Sequence, residues 1–137
     1  MRFISTKVHG ILDYLMGALL IAAPWIFGFN DGGAETWVPV IIGIVMLLQA
    51  LMTDFEMGVF KSISMSTHLR MDFIAGIFLA ASPWIFGFSD TVWAPHVIFG
   101  LMEVAASLMT RTVPTYASTA NPVRTAVNDM THDRNRM

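Results

Sequence analysis

Two pairs of ionisable residues stand out against an apolar chain: His9 with Asp13, and His68 with Asp72. A spacing of four residues on a helix puts both side chains of a pair on one face. A third acid, Glu103, lies in another apolar stretch, and Gln49 in a fourth. Imidazole and carboxylate groups so placed support three kinds of chemistry. Each Asp can accept a hydrogen bond from its own His or from a neighbouring helix and lock the segments together. Asp13, Asp72 and Glu103 can carry protons or hold a cation. His9 and His68 can ligate a metal or a haem between helices. Strong catalytic signatures are absent: the chain has no HExxH zincin pattern, no P-loop and no dinucleotide fingerprint. It also has no cysteine, which excludes disulfides, thiolate zinc sites and iron–sulfur clusters.

The elements that must position these groups are apolar helices. Hydrophobic residues make up 55% of the 137-residue chain and charged residues 13%, with a mean hydropathy of +0.60. Soluble domains carry about 25% charged residues. Four stretches stay apolar: Val8 to Phe29, Trp37 to Thr53, His68 to Phe88 and Trp93 to Thr110. Each has about the 17–25 residues a helix needs to cross a bilayer. A soluble bundle would show a polar stripe along its helices, yet Val38 to Met52 carries no charge at all. At 1.5 Å per residue, Asp72 lies about 6 Å and Glu103 about 10 Å inside its span, so the groups could meet in the inner third of the bilayer. Arg70 is near enough in sequence to neutralise an acid there.

The basic residues set the orientation. Arg2, Lys7, Lys61, Arg70, Arg111, Arg124, Arg134 and Arg136 all fall at one end of the spans, whereas the two short hairpin loops carry Asp31, Glu35 and Asp90. The positive-inside rule then puts both termini and the central loop in the cytoplasm. A net charge of −2 argues against a nucleic-acid partner.

The chain repeats itself. A shift of 59 residues lays His9 on His68, Asp13 on Asp72, Gly17 on Gly76, Leu20 on Leu79, and Pro-Trp-Ile-Phe-Gly-Phe at 24–29 on the same run at 83–88. The shift falls to 56 at Trp37/Trp93 and to 57 at Gly43/Gly100, because the second hairpin loop is shorter. The third span copies the first but lies mid-chain, so the first is expected to be a retained span rather than a cleaved signal peptide. Two copies in the same orientation imply a pseudo-two-fold axis along the membrane normal. Pro24 and Pro83 fall near the outer helix ends, where proline kinks or stops a helix. Trp25, Trp84, Trp37 and Trp93 gather there as an aromatic belt. Ser5 and Thr6, and Ser66 and Thr67, are suited to cap the first and third helices. His96, beside Pro95, is expected at the outer interface in contact with water.

The stretches Ala23–Phe29 (APWIFGF) and Ser82–Phe88 (SPWIFGF) resemble the SPW repeat family of small bacterial membrane proteins. Each unit of that family is a pair of transmembrane helices with the motif in the first. The resemblance runs over about residues 5 to 111. Ala23 stands where the motif has Ser, which suggests that the hydroxyl does no essential chemistry. The resemblance implies a fold and a location, not a reaction.

The expectation is therefore an all-α membrane protein. Residues 1–111 form four transmembrane helices from two tandem two-helix repeats, about 5–53 and 64–110, with N and C termini cytoplasmic. The linker Asp54 to Thr67 is expected on the inner membrane surface, and residues 112–137 as a polar cytoplasmic tail with little fixed structure. The function expected is a non-enzymatic structural or accessory component of the bacterial inner membrane. The alternatives are a small transporter or proton-linked carrier using His9, Asp13, His68, Asp72 and Glu103, and a bis-histidine haem or metal protein. No cofactor or metal is assigned. The expected partners are the lipid bilayer and, for so small a bundle, further copies of itself or another membrane protein.

Overall fold

In a computed structural model of the chain, residues 1–116 are described, and most of the tail expected from 112 onward lies outside them. Four helices follow in order: α1, Thr6–Ile26; α2, Ala34–Met52; α3, Met65–Ile85; and α4, Ala94–Met109. The described residues contain no strand, only two isolated bridges. α1 and α2 are long and apolar enough to cross a membrane, and α4 is a shorter apolar helix of 16 residues.

The repeat dictates the packing. α1 lies against α2 and α3 against α4, and the two hairpins meet along thinner α2–α3 and α1–α4 seams. Each hairpin closes at a glycine pair. A Cβ on Gly43 would lie 2.6 Å from the Gly17 carbonyl oxygen, and one on Gly100 would lie 2.5 Å from that of Gly76. Only glycine permits so close a crossing of backbones, the small-residue packing that membrane helices favour. Leu20, Ile42, Met46 and Leu79 form the apolar core between the hairpins.

The helix ends are built alike in both copies. Ser5 caps α1 by accepting from the Val8 N–H, and Ser64 caps α3 by accepting from the Thr67 N–H. The third helix thus starts at the true repeat equivalent of Ser5, two residues before the expected Ser66. Both odd helices end in a Schellman turn. The Phe29 N–H donates to the Pro24 carbonyl and the Phe88 N–H to the Pro83 carbonyl, each at 2.8 Å. Gly28 and Gly87 take the left-handed conformation that this turn requires, with φ of 72° and 71°.

This geometry explains the serine of the motif. A proline has no N–H, so it frees the carbonyl four residues earlier. For Pro83 that carbonyl belongs to Leu79, and Ser82 Oγ donates to it at 2.7 Å. Ala23 supplies no such donor to Leu20 ahead of Pro24. The hydroxyl is structural.

At the other end the chain ties the copies together crosswise. Ile4, leading into α1, bridges to Thr110 after α4, and Ile63, leading into α3, bridges to Thr53 after α2. Arg2 donates to the Thr110 carbonyl at 2.6 Å, a cation at a helix C-terminus. In the linker, Phe55 is fully buried against Gly10, while Val59 and Phe60 point outward. Asp54 accepts from the Tyr116 hydroxyl, and that hydrogen bond is the chief cause holding its carboxyl below the usual carboxylate range and pushing Tyr116 up to about 12.

Ala23→Ser is expected to stabilise the protein by about 0.5–1.5 kcal/mol, one net hydrogen bond, and Ser82→Ala to destabilise it by about as much. Equilibrium unfolding of the two variants in detergent checks this; equal shifts of the same sign would refute it.

Candidate functional site

The crosswise bridges bring the first turns of α1 and α3 together. His9 and His68 then face each other across the pseudo-two-fold axis, with ring centroids 5.4 Å apart. Their Nε2 atoms converge on both aspartates. His9 Nε2 lies 3.1 Å from Asp72 Oδ2 and 3.3 Å from Asp13 Oδ1. His68 Nε2 lies 2.8 Å from Asp13 Oδ2 and 3.0 Å from Asp72 Oδ2. The hydrogen bonds cross between the copies, His9 to Asp72 and His68 to Asp13. All four side chains are at most 2% exposed.

The outer shell fixes the tautomers. Thr110 Oγ1 donates to the Ala106 carbonyl at 2.6 Å, and Thr53 Oγ1 donates to the Gln49 carbonyl at 2.7 Å. A hydroxyl has one proton. Each Thr must therefore accept from its histidine, and it does so at His9 Nδ1 (2.9 Å) and His68 Nδ1 (2.8 Å). With Nδ1 carrying a hydrogen, a neutral imidazole would turn a bare Nε2 lone pair toward carboxylate oxygens. A proton, on Nε2 or on the carboxyl, or a cation must lie between. One further bond holds Asp72, whose Oδ1 accepts from Gln49 Nε2 at 2.5 Å.

Glu103 adjoins this quartet without joining it. It is buried, and its Oε2 has no hydrogen-bond partner among the described residues. It shares with Asp13 an apolar-walled cleft of about 430 Å³ between α1 and α4 that also includes Ile4, Leu12, Met16 and Met109. Arg70 does not neutralise these acids. It is exposed and lines a separate groove with Arg2 and Phe73, and the histidines take the role expected of it.

The motif residues occupy the far end. Trp25, Trp37, Trp84 and Trp93 are 51–60% exposed, and Pro24 and Pro83 are buried at the helix stops. His96 is not in contact with water as expected. It is 1% exposed, donates through Nε2 to the Glu35 carbonyl at 3.0 Å, and is flanked by Phe29 and Phe88. The phenylalanine that follows each Schellman turn folds back over it.

Sequence reasoning missed Thr53 and Thr110. A signal existed: the two threonines match at the same shift of 57 that pairs Gly43 with Gly100.

A duplicated hairpin closed by glycine pairs and stopped by Pro-Trp turns defines a class of apolar helical repeat protein. The family described as SPW repeat domain matches residues 7–110, and the chain belongs to it. No curated protein and no solved structure matches the chain.

Thr53→Val and Thr110→Val each leave a buried imidazole N–H without its acceptor. Each is expected to cost about 1–3 kcal/mol, read by unfolding in detergent, with the two losses similar because the sites are related by the repeat. A loss confined to one variant would show that the quartet is not the symmetric unit described.

Proposed function

We propose that the chain is a four-span protein of the bacterial inner membrane, with both termini and the linker cytoplasmic, acting as a non-enzymatic structural or accessory component. One observation carries the membrane reading: ionisable and amide side chains are buried beside the small apolar core, while large apolar side chains cover the outside of the bundle. Its buried set includes His9, Asp13, Gln49, His68, Asp72 and Glu103, while Leu15, Ile41, Leu48, Ile74, Ile98 and Leu101 are exposed at mid-helix. Water would favour the reverse. A polar side chain in lipid faces the bundle interior and pairs there, as the quartet does with its threonines and Gln49.

The two shorter or more polar helices fit the same reading. α4 spans about 24 Å at 1.5 Å per residue, and a bilayer thins locally around a short helix. Arg70, in the second turn of α3, can extend its side chain to the inner interface. The half-exposed tryptophans form the belt at the outer surface. The non-enzymatic reading rests on the His/Asp quartet, whose side chains bond to one another, to Thr53 and Thr110 and to Gln49. Arg124, Arg134 and Arg136, which would touch anionic lipid on the inner face, lie outside the described residues.

Absence of native cysteine makes the topology directly testable. Single cysteines at Asp31 and Ser89 are expected to react with a membrane-impermeant thiol reagent applied from outside the inner membrane. A cysteine at Ser62 is expected to react only after the membrane is opened. Labelling of Ser62 from outside would overturn the orientation.

Glu103 favours a second reading, a proton-linked carrier. It is a buried carboxyl with an unpartnered oxygen, placed in a cleft with Asp13, and Met46 stands at its repeat equivalent. On this reading Glu103→Gln abolishes proton flux in liposomes and Asp13→Asn reduces it less. Flux in the wild type no greater than in empty liposomes would eliminate it. The haem reading has little geometric support, since the carboxylates already fill the space between the imidazoles at 2.8–3.3 Å.

A further inference from the structure

We infer that His9 Nε2, His68 Nε2, Asp13 and Asp72 form a four-ligand binding site for one divalent first-row transition ion, Zn²⁺ above all. The inference goes beyond the membrane role proposed above and does not depend on it.

The first argument is convergence. One ligand atom from each of the four residues can be chosen so that all lie within 4.8 Å of one another. The four His–Asp separations are 3.3, 3.1, 2.8 and 3.0 Å. Zinc bonds to imidazole nitrogen and carboxylate oxygen at about 2.0–2.2 Å, so atoms that share one zinc stand about 3–4.4 Å apart, and the His–Asp separations lie at the near end of that range, with Asp13 facing His9 through Oδ1 and His68 through Oδ2. Hydrogen bonds alone use this arrangement poorly. Two Nε2–H groups face four close oxygen contacts, and Asp72 Oδ2 lies near both nitrogens. A single cation at the centre serves every contact at once.

The second argument is the outer shell. A ligating histidine nearly always donates its other N–H to a protein acceptor, which fixes the tautomer and aims the free nitrogen at the metal. Both histidines do so, through Nδ1 to Thr110 and Thr53, whose own protons are held by backbone carbonyls. The ligating carboxylate is commonly held as well. Gln49 holds Asp72 Oδ1 and leaves Oδ2 directed at the imidazoles. Three of the four ligands are thus oriented from behind, with their free atoms directed at the common centre.

Charge balance gives the third. Two carboxylates gathered around the same two imidazole nitrogens in a dry interior need two positive charges close by. One divalent ion with two neutral imidazoles supplies them, and its entry releases the two Nε2 protons with no change in net charge. Imidazole with carboxylate suits zinc and the neighbouring divalent ions, not calcium or magnesium, which prefer oxygen alone. Asp13 also lines the α1–α4 cleft, so the site lies beside a cavity and is not sealed on every side.

The test uses the full chain, purified in detergent with a tag that contains no histidine, stripped with a chelator and reloaded with Zn²⁺ or Co²⁺. The expected result is about one metal per chain by elemental analysis and the intense visible bands of tetrahedral Co²⁺, bleached when Zn²⁺ displaces it. The unfolding temperature rises with metal concentration. Asp13→Asn combined with Asp72→Asn keeps the shape of the side chains and abolishes binding. Should that variant fail to fold, Thr53→Val and Thr110→Val leave all four ligands in place and are expected to weaken binding about 10–100-fold each. A folded wild type that stays colourless with Co²⁺ and retains no metal would overturn the inference and leave a proton-bridged network. Unchanged affinity in both threonine variants would overturn the outer-shell argument.

Discussion

Two aspartates buried within reach of each other repel, and nothing in a low-dielectric interior screens them. The architecture of this protein follows from meeting that constraint. The positive partners come from His9 and His68: each lies close to the Asp of its own helix and hydrogen-bonds to the Asp of the other copy once the two hairpins dock about their pseudo-two-fold axis. Breaking one partner of such a buried set leaves an uncompensated charge. The quartet therefore specifies how the copies face each other as much as it holds them. The apolar core of Leu20, Ile42, Met46 and Leu79 has little shape by which to set that register alone.

The rest of the fold delivers four helix starts and stops to the right heights. The crosswise bridges Ile4–Thr110 and Ile63–Thr53 bring the exit of each even helix beside the entry of the opposite odd helix. That is what sets Thr110 behind His9 and Thr53 behind His68. At the far end, Pro-Trp-Ile-Phe-Gly-Phe acts as one device. The proline is in the last turn, glycine makes the left-handed step, and the final phenylalanine folds over His96. In the second copy Ser82 takes up the carbonyl that the proline frees. Close glycine crossings hold the hairpins in register between these two ends.

Much of this was legible in the sequence, for physical reasons. Period and apolar length give helices, and an exact repeat gives equal faces, so His9 and Asp13 had to share a face and His68 and Asp72 had to match them. The meeting of the two pairs followed from the repeat. The cross-copy choice of partner did not, because in-helix and between-helix contacts differ by only a few tenths of an ångström. Arg70 was misjudged because sequence proximity says nothing about which face of a helix a residue takes; two residues from His68, it points away. His96 was misplaced because the covering phenylalanines come from α1 and α3 turns distant in sequence. Thr53 and Thr110 escaped notice because a threonine at a helix end reads as a cap, and only tertiary contact gives it a second role.

The departures from symmetry say more about function than the symmetry does. The quartet is two-fold, but its surroundings are not. On one side Gln49 closes over Asp72, and the repeat equivalent of Gln49 is Ala106, which offers Asp13 no such bond. On the other side Glu103 stands where the first copy has Met46, and it opens with Asp13 onto the α1–α4 cleft. A device for holding helices together needs neither replacement, since a symmetric pair of glutamines would satisfy both acids. One carboxylate is closed over by an amide, and the other lines a cleft with a second carboxyl. The asymmetry thus leaves Asp13 and Glu103 together at the α1–α4 cleft and Asp72 covered by Gln49.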